Sequence, residues 1–223
     1  MRVLRPFDPW RSPLCTCPPK LTLNPYTGCG HHCLYCYITS YVRDAWRPRP
    51  KRDLLGRLAS DLSSVRPGTL VAMSYSSDPY TPPEGELGLT RGVLRLLLGA
   101  GLRVLVATKS DLVARDADLL SRGRAAVTMT VTTMDRGLAS RLEPGAPPPG
   151  RRVDALERLS GAGVPVGVRL DPIIPGLNDS ERSIREVLEA AADAGARHVV
   201  TSTYKARSCL LYTSDAADDG ESV

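Results

Sequence analysis

The chain has 223 residues, 42% of them hydrophobic and 24% charged, which is enough apolar material to bury a core and excludes global disorder. No run of 18 apolar residues occurs, so nothing in the sequence spans a bilayer as a helix, and the start (Met1-Arg2-Val3-Leu4-Arg5-Pro6) lacks the apolar stretch of a leader, so a cytoplasmic protein is the expectation. The 29 basic residues against 24 acidic ones include only four lysines (Lys20, Lys51, Lys109, Lys205), an arginine skew that says little by itself about anionic partners.

In chain order, a Pro-rich lead-in over residues 1–20 precedes a candidate strand at Leu21–Thr27 and a Cys-rich loop. Helical periodicity follows at Arg52–Ser64, a short apolar strand at Thr69–Ser74, a Leu-rich helix at Thr90–Gly101 and a strand at Arg103–Thr108. Then come a helix at Asp111–Arg122 with Asp111 as its expected N-cap, a β-branched strand at Ala125–Thr132 and a helix at Arg151–Gly163. Val164–Leu170 reads as a strand, Asp179–Ala194 as a helix capped by Asp179 or Ser180, and His198–Thr203 as a sixth strand. Strand and helix alternating in this way predict right-handed βα units on a parallel sheet. The strands show little period-2 alternation, which predicts that both sheet faces are covered. Periodicity does not choose between a partly closed barrel and an open doubly wound sheet. The run Cys209-Leu210-Leu211-Tyr212-Thr213-Ser214-Asp215-Ala216-Ala217-Asp218-Asp219 resembles the translation of a transposase-type sequencing adapter, so residues 209–223 are expected to be non-native and the natural core to occupy 21–208.

Six cysteines stand at 15, 17, 29, 33, 36 and 209. Cys29, Cys33 and Cys36 form C-x3-C-x2-C in the first strand-to-helix loop, a spacing that lets three thiolates converge on one centre. Structural zinc takes four ligands, and only His31 or His32 is at hand for the fourth. A [4Fe–4S] cluster held by three cysteines leaves one iron open, which suits chemistry. Cys15-Thr16-Cys17 reads as a packed pair in the lead-in.

The sequence C-x3-C-x-aromatic-C, with Tyr35 in the aromatic slot, resembles the radical S-adenosylmethionine (radical SAM) superfamily. Asn24–Cys29, Ser76–Tyr80, Thr108–Ser110, Leu142–Pro147 and Asp171–Asp179 are similar to its spore photoproduct lyase and photolyase-like branch. The resemblance implies a partial (β/α)6 TIM-type barrel, Cys29, Cys33 and Cys36 on a [4Fe–4S] cluster, and S-adenosylmethionine on its open iron. It also implies an electron donor of flavodoxin or ferredoxin type and a lyase-like or repair-like activity on a substrate for which nucleic acid is one class. By the same resemblance Ser77, Asp78, Lys109 and Thr130 are cofactor contacts. The residue chemistry agrees: Ser77 and Asp78 can accept from a methionyl ammonium, Lys109 can pair a carboxylate, and Thr130 can reach ribose hydroxyls. Pro172 and Ile173 offer the adenine an apolar wall, with Tyr35 and Tyr37 as aromatic edges. Arg169 needs an anionic partner if buried. The branch's hydrogen-donor cysteine is replaced here by Tyr75, and Gly145 stands where relatives often carry a basic residue, so the cofactor chemistry transfers and the substrate does not. A different reading, a non-catalytic metal-stabilised nucleic-acid-binding module, rests on the arginine excess and a zinc-like loop.

Overall fold

The computed structural model describes residues 2–7, 18–73 and 76–205. The cysteines at 15, 17 and 209, Tyr75 and the segment 209–223 lie outside them. Seven strands form one sheet: β1 (Arg5–Phe7), β2 (Lys20–Leu23), β5 (Leu70–Met73), β6 (Arg103–Thr108), β7 (Ala125–Thr130), β8 (Val166–Ile173) and β9 (Val199–Thr203). A two-stranded ribbon, β3 (Tyr26–Thr27) with β4 (Arg49–Pro50), stands apart. The helices are α1 (Leu54–Leu62), α2 (Glu84–Leu87), α3 (Leu89–Gly99), α4 (Ala117–Arg122), α5 (Arg136–Leu142), α6 (Pro149–Gly161) and α7 (Glu181–Asp193).

Strand order decides what periodicity left open. The sheet runs β1-β2-β5-β6-β7-β8-β9, and β2 through β9 pair in parallel, each with the next strand of the sheet along the chain. A doubly wound sheet reverses its order at a switch point. Here the order never reverses, so six parallel strands and the five helical connections between them wind one way, as in a partial (β/α)6 barrel. β1 adds an antiparallel edge to β2.

The expectation that both sheet faces are covered needs correction. On β6, Val104, Val106 and Thr108 are buried while Leu105 and Ala107 are half-buried; on β8, Val168 and Leu170 are buried while Arg169, Asp171 and Ile173 are half-buried. The buried set packs with helix residues Leu94, Leu97, Leu156, Leu159 and Val187 in one core. The other face, half-buried on β6 and β8 yet buried at Thr128 and Thr130 of β7, looks into the curve of the sheet.

Several boundaries shift for local reasons. The expected strand at 21–27 breaks into β2 and β3 at Asn24-Pro25, since proline has no N–H for the ladder. Residues 111–122 split into a 3-10 turn (Asp111–Asp116) and α4, and the cap is Ser110, whose hydroxyl accepts from Leu112 N at 3.3 Å. Asp111 instead meets Arg151 Nη2 at 2.5 Å. Ser180 caps α7 by accepting from Ser183 N. The short helices α2 and α5 and the strand β1 were not expected.

The helix layer carries the core, so position on it sets the cost of truncation. Leu97→Ala on α3, where the side chain is 0% exposed, is expected to destabilise by about 2–5 kcal/mol. Leu87→Ala, 54% exposed, should stay within about 0.5 kcal/mol. Urea unfolding followed by circular dichroism measures both.

Candidate active site

The cysteine loop leaves β3 through Gly28, whose φ is +80°; a Cβ there would lie 2.7 Å from the Arg47 carbonyl oxygen and 2.9 Å from that of Ala45. Three other segments hold the loop. Cys29 N donates to Ala45 O at 2.8 Å, Ser77 Oγ donates to Gly28 O at 2.6 Å, and Gly30 N donates to Thr81 Oγ1 at 2.8 Å. From the far side Gly145 N donates to His31 O and Leu34 N donates to Leu142 O, both at 2.9 Å. A Cβ on Gly145 would fall 2.1 Å from Gly30 O, so a basic side chain has no room at that position. Loops following β3, β5 and β7 therefore meet at one rim of the sheet, the end where the parallel strands finish.

Cys29 and Cys33 are buried, Cys36 is half-buried, and all three are free thiols. Burial pushes Cys33 up to about 12, with the charges of Glu143, Cys36 and Cys29 adding to it and that of Lys109 opposing. Cys36 also rises, through burial first. Cys29 falls: burial raises it, but the hydrogen bond and charge of His31 outweigh that. The charges of Cys29 and Cys36 are felt at Cys33, and that of Cys29 at Cys36. Among the described residues no three His, Cys, Asp or Glu side chains close on a single point as the ligands of one ion do. A four-iron cluster spreads its thiolates over separate corners, so three free thiols on one short loop suit it without such a point.

Two carboxylates organise the rim, Asp78 half-buried and Glu143 buried. Asp78 accepts from Tyr80 N (2.8 Å) and Thr108 Oγ1 (2.7 Å) through Oδ1, and from Lys109 N (2.8 Å) through Oδ2, which also lies 3.4 Å from His31 Nδ1. Burial alone would raise this carboxyl, but His31 and these donors bring it down to about 2. Burial likewise opposes the imidazolium of His31, yet Asp78 and Cys29 carry its pKa to about 10. The Asp78 carboxylate thus has four partners within the chain, among them the backbone N–H of Lys109.

The second carboxylate, Glu143, is 1% exposed. It accepts from Thr132 Oγ1 at 3.1 Å and from Tyr35 OH, and Lys109 Nζ lies 3.9 Å away. Arg152 Nη1 is 2.5 Å from Oε2, an ion contact off the hydrogen-bonding direction, which leaves Oε2 without a directed bond. Arg152, 1% exposed, spends its other donors on Pro147 O (2.7 Å) and Thr130 O (3.2 Å). Lys109 also sits 5.4 Å over the Tyr35 ring. Burial lowers Lys109, but Cys33 and Glu143 more than compensate, so its ammonium stays charged.

The remaining expected contacts are distributed around this centre. Ser77 is buried with its hydroxyl on Gly28 O, and Thr130 is buried at the end of β7. Pro172 follows a cis peptide and is buried, its carbonyl accepting from Asn178 Nδ2 at 3.1 Å; Ile173 is half-buried at the end of β8. Tyr37 is 40% exposed, its ring 6.0 Å from that of Tyr41. Arg169 pairs with Asp171, whose other oxygen accepts from Ser202 Oγ at 2.6 Å. A hollow of about 570 Å³ opens at the opposite end of the strands, lined by Leu70, Arg103, Leu120 and Pro165, and none of the expected site residues borders it.

Sequence reasoning missed Glu143 as the shared partner of Lys109 and Arg152, and it missed a brace beneath the rim. Tyr26 OH donates to Glu84 Oε2 at 2.7 Å and Tyr80 OH to Asp116 Oδ2 at 3.0 Å. Arg115 joins both carboxylates, 2.6 Å from Glu84 Oε1 and 3.0 Å from Asp116 Oδ1. Both acids are 0% exposed, and their tyrosines sit just before Cys29 and just after Asp78.

Comparison with known proteins completes this picture. The radical SAM superfamily profile matches residues 23–191. This chain belongs to the radical SAM superfamily. It is 32% identical to the uncharacterized protein ORF301 of Acidianus two-tailed virus over 79% of its own length and 64% of that protein's. It is 23% identical to a radical SAM Nα-GlyT isomerase of Pseudomonas phage M6 over 79% of its own length and 38% of that protein's. Among solved structures, spore photoproduct lyase with bound AdoMet and dinucleoside spore photoproduct matches with a TM-score of 0.68 at 18% identity, covering 91% of this chain and 62% of that one. The fold of the lyase is thus shared, and the chain spans 58–64% of the length of two of its curated relatives.

Two substitutions test the rim. Gly145→Ala should lower the melting temperature by several degrees, because its methyl meets backbone, whereas Gly150→Ala, with nothing within 4 Å, should not. Glu143→Gln should cost about 3–5 kcal/mol in urea unfolding by leaving Arg152 buried and uncompensated. Glu143→Gln with Arg152→Met should recover part of that; a cost under about 1 kcal/mol for the single variant would show that the pair is not the rim's anchor.

Proposed function

We propose that the chain is a radical SAM enzyme in which Cys29, Cys33 and Cys36 hold a [4Fe–4S] cluster and the rim around Lys109 binds S-adenosylmethionine. When bound and reduced by one electron, the cluster and S-adenosylmethionine together supply methionine and a 5′-deoxyadenosyl radical that takes a hydrogen atom from substrate. The observation that carries the reading is the meeting of three free thiols with a charged, half-buried lysine at the rim where the strands end.

Each residue then has a job. Lys109, kept protonated by Glu143, is the cation for the methionyl carboxylate. Asp78 holds Lys109 from beneath through its backbone N–H, so the lysine projects from a fixed turn. Ser77 ties the β5 loop to Gly28 at the base of the cysteine loop. Thr130, Pro172 and Ile173 end β7 and β8 on the ribose and adenine side, and the Tyr35 ring lies under the lysine, with Tyr37 beyond it. The half-buried inner face of β6 and β8 leaves room for a substrate beside them. Nucleic acid is the first class to try, since the related lyase structure holds a dinucleoside and this chain is basic.

Protein reconstituted anaerobically with iron and sulfide is expected to produce 5′-deoxyadenosine from S-adenosylmethionine on addition of dithionite, measured by liquid chromatography. Cys33→Ala should abolish it. Wild-type protein with a full cluster and no deoxyadenosine would overturn the assignment.

A further inference from the structure

The segment that follows the thiols has two faces. Its inner face is a small core of Cys29, Ile38 and Ala45, with Cys36 and Val42 packed against it. Its outer face shows solvent three large apolar side chains: Leu34 at 63% exposure, Tyr41 at 55% and Tyr37 at 40%. Leu34 lies between Cys33 and Cys36 in sequence, and Tyr37 directly follows Cys36. The exposed side chains thus adjoin the thiol positions along the chain.

The margin of the patch is basic. Residues 37–52 carry Arg43, Arg47, Arg49, Lys51 and Arg52 against the single acid Asp44. Arg43 and Arg47 are exposed. They stand on a fixed scaffold, because Arg49 turns inward and donates to the carbonyls of Arg43 (2.8 Å), Asp44 (3.2 Å) and Arg47 (3.1 Å). His32 ties the same loop to Trp46, its Nε2 3.2 Å from the Trp46 carbonyl and the two rings 5.4 Å apart. A preformed apolar centre with a predominantly basic margin, in which Asp44 is the one exposed acid of residues 37–52, is the anatomy of a transient redox encounter, where steering by charge brings partners together over a small contact.

We infer that this face, Leu34, Tyr37 and Tyr41 with Arg43 and Arg47, docks a small acidic one-electron carrier of the flavodoxin or ferredoxin class. The inference rests on the function proposed above. In the step the carrier is oxidised by one electron, the thiol-held cluster is reduced by one, and no bond or proton moves. Charge complementarity selects an acidic partner, and the adjoining thiols select one that delivers an electron. A nucleic acid would satisfy the first condition and not the second.

The test uses the reconstituted holoprotein, with flavodoxin hydroquinone and a reduced two-cluster ferredoxin as probes, and follows bleaching of the cluster absorbance by stopped flow. With at least one carrier, Arg43→Glu/Arg47→Glu should lower the second-order rate constant at low salt by about tenfold or more and flatten its dependence on ionic strength. Iron per chain and the rate of reduction by dithionite should match wild type, and Arg95→Glu/Arg158→Glu, exposed on α3 and α6, should change nothing. An unchanged carrier rate overturns the inference, as does an equal fall with dithionite, or a wild type that neither carrier reduces. Loss of oligonucleotide binding in the double variant with carrier rates intact would assign the face to nucleic acid instead. Fast carrier reduction without deoxyadenosine would leave the docking face standing and remove the proposed reaction.

Discussion

A carboxylate with almost no contact with water holds this site together. Glu143 follows α5, yet it gathers Lys109 from the end of β6, Thr132 from beyond β7, Arg152 from α6 and Tyr35 from the cysteine loop. Burying one charge costs several kcal/mol, and burying three is tolerable only when the signs interleave and the remaining donors find carbonyls. Arg152 meets that condition through Pro147 and Thr130, and Lys109 through partial exposure at the rim. Take the carboxylate away and two cations face each other beside a half-buried thiol. The arrangement keeps a lysine charged next to sulfur, in a place where burial would otherwise favour the neutral amine.

Around that centre the backbone does the positioning. Gly28 and Gly145 admit no side chain, because the carbonyls of Ala45, Arg47 and Gly30 occupy the space. The cysteine loop is therefore clasped from two sides by main chain, a less adaptable contact than side-chain packing. Asp78 acts similarly from below. Its four partners come from the β5 loop, the end of β6 and the cysteine loop, so one side chain sets the relative position of three segments. The Tyr26–Glu84 and Tyr80–Asp116 pairs repeat the device one layer deeper.

How much of this was legible follows from the range of each interaction. The βα alternation and the three-cysteine spacing are local patterns, and they led to a parallel sheet and to Cys29, Cys33 and Cys36, while the barrel came from the family resemblance. Ser77, Asp78 and Lys109 were singled out because they follow strands and because the family resemblance points to them. Their partners were not: Tyr35 and Glu143 are 108 residues apart, Tyr26 and Glu84 are 58, and Asp78 and Thr108 are 30. A lone glutamate between a leucine and a proline has no periodicity to announce it. The mistaken expectation of two covered sheet faces has a different origin. Threonine and alanine on the inner positions of β6 and β7 blur the alternation, since small or β-branched residues suit both a covered face and an open cavity. The cap at Ser110 was missed for a subtler reason, because Ser and Asp are equivalent N-caps in propensity and only the ion pair of Asp111 with Arg151 separates them.

The cysteine loop also divides two kinds of traffic. On its inner side, Cys33 feels the charges of Lys109 and Glu143, and Lys109 sits over the Tyr35 ring, a polar and largely buried environment. Away from the sheet, the same eight-residue spacing presents Leu34 and then Tyr37 to solvent. Under the proposed function this separation keeps the surface offered to an electron carrier apart from the interior that holds the radical. Leu34 shows how that surface is held: its side chain is exposed while its backbone N–H is anchored to Leu142, adjacent to Glu143. The outer surface and the buried charge cluster are thus joined through one hydrogen bond. Any rearrangement that loosens α5 disturbs the entry face and the cofactor rim together.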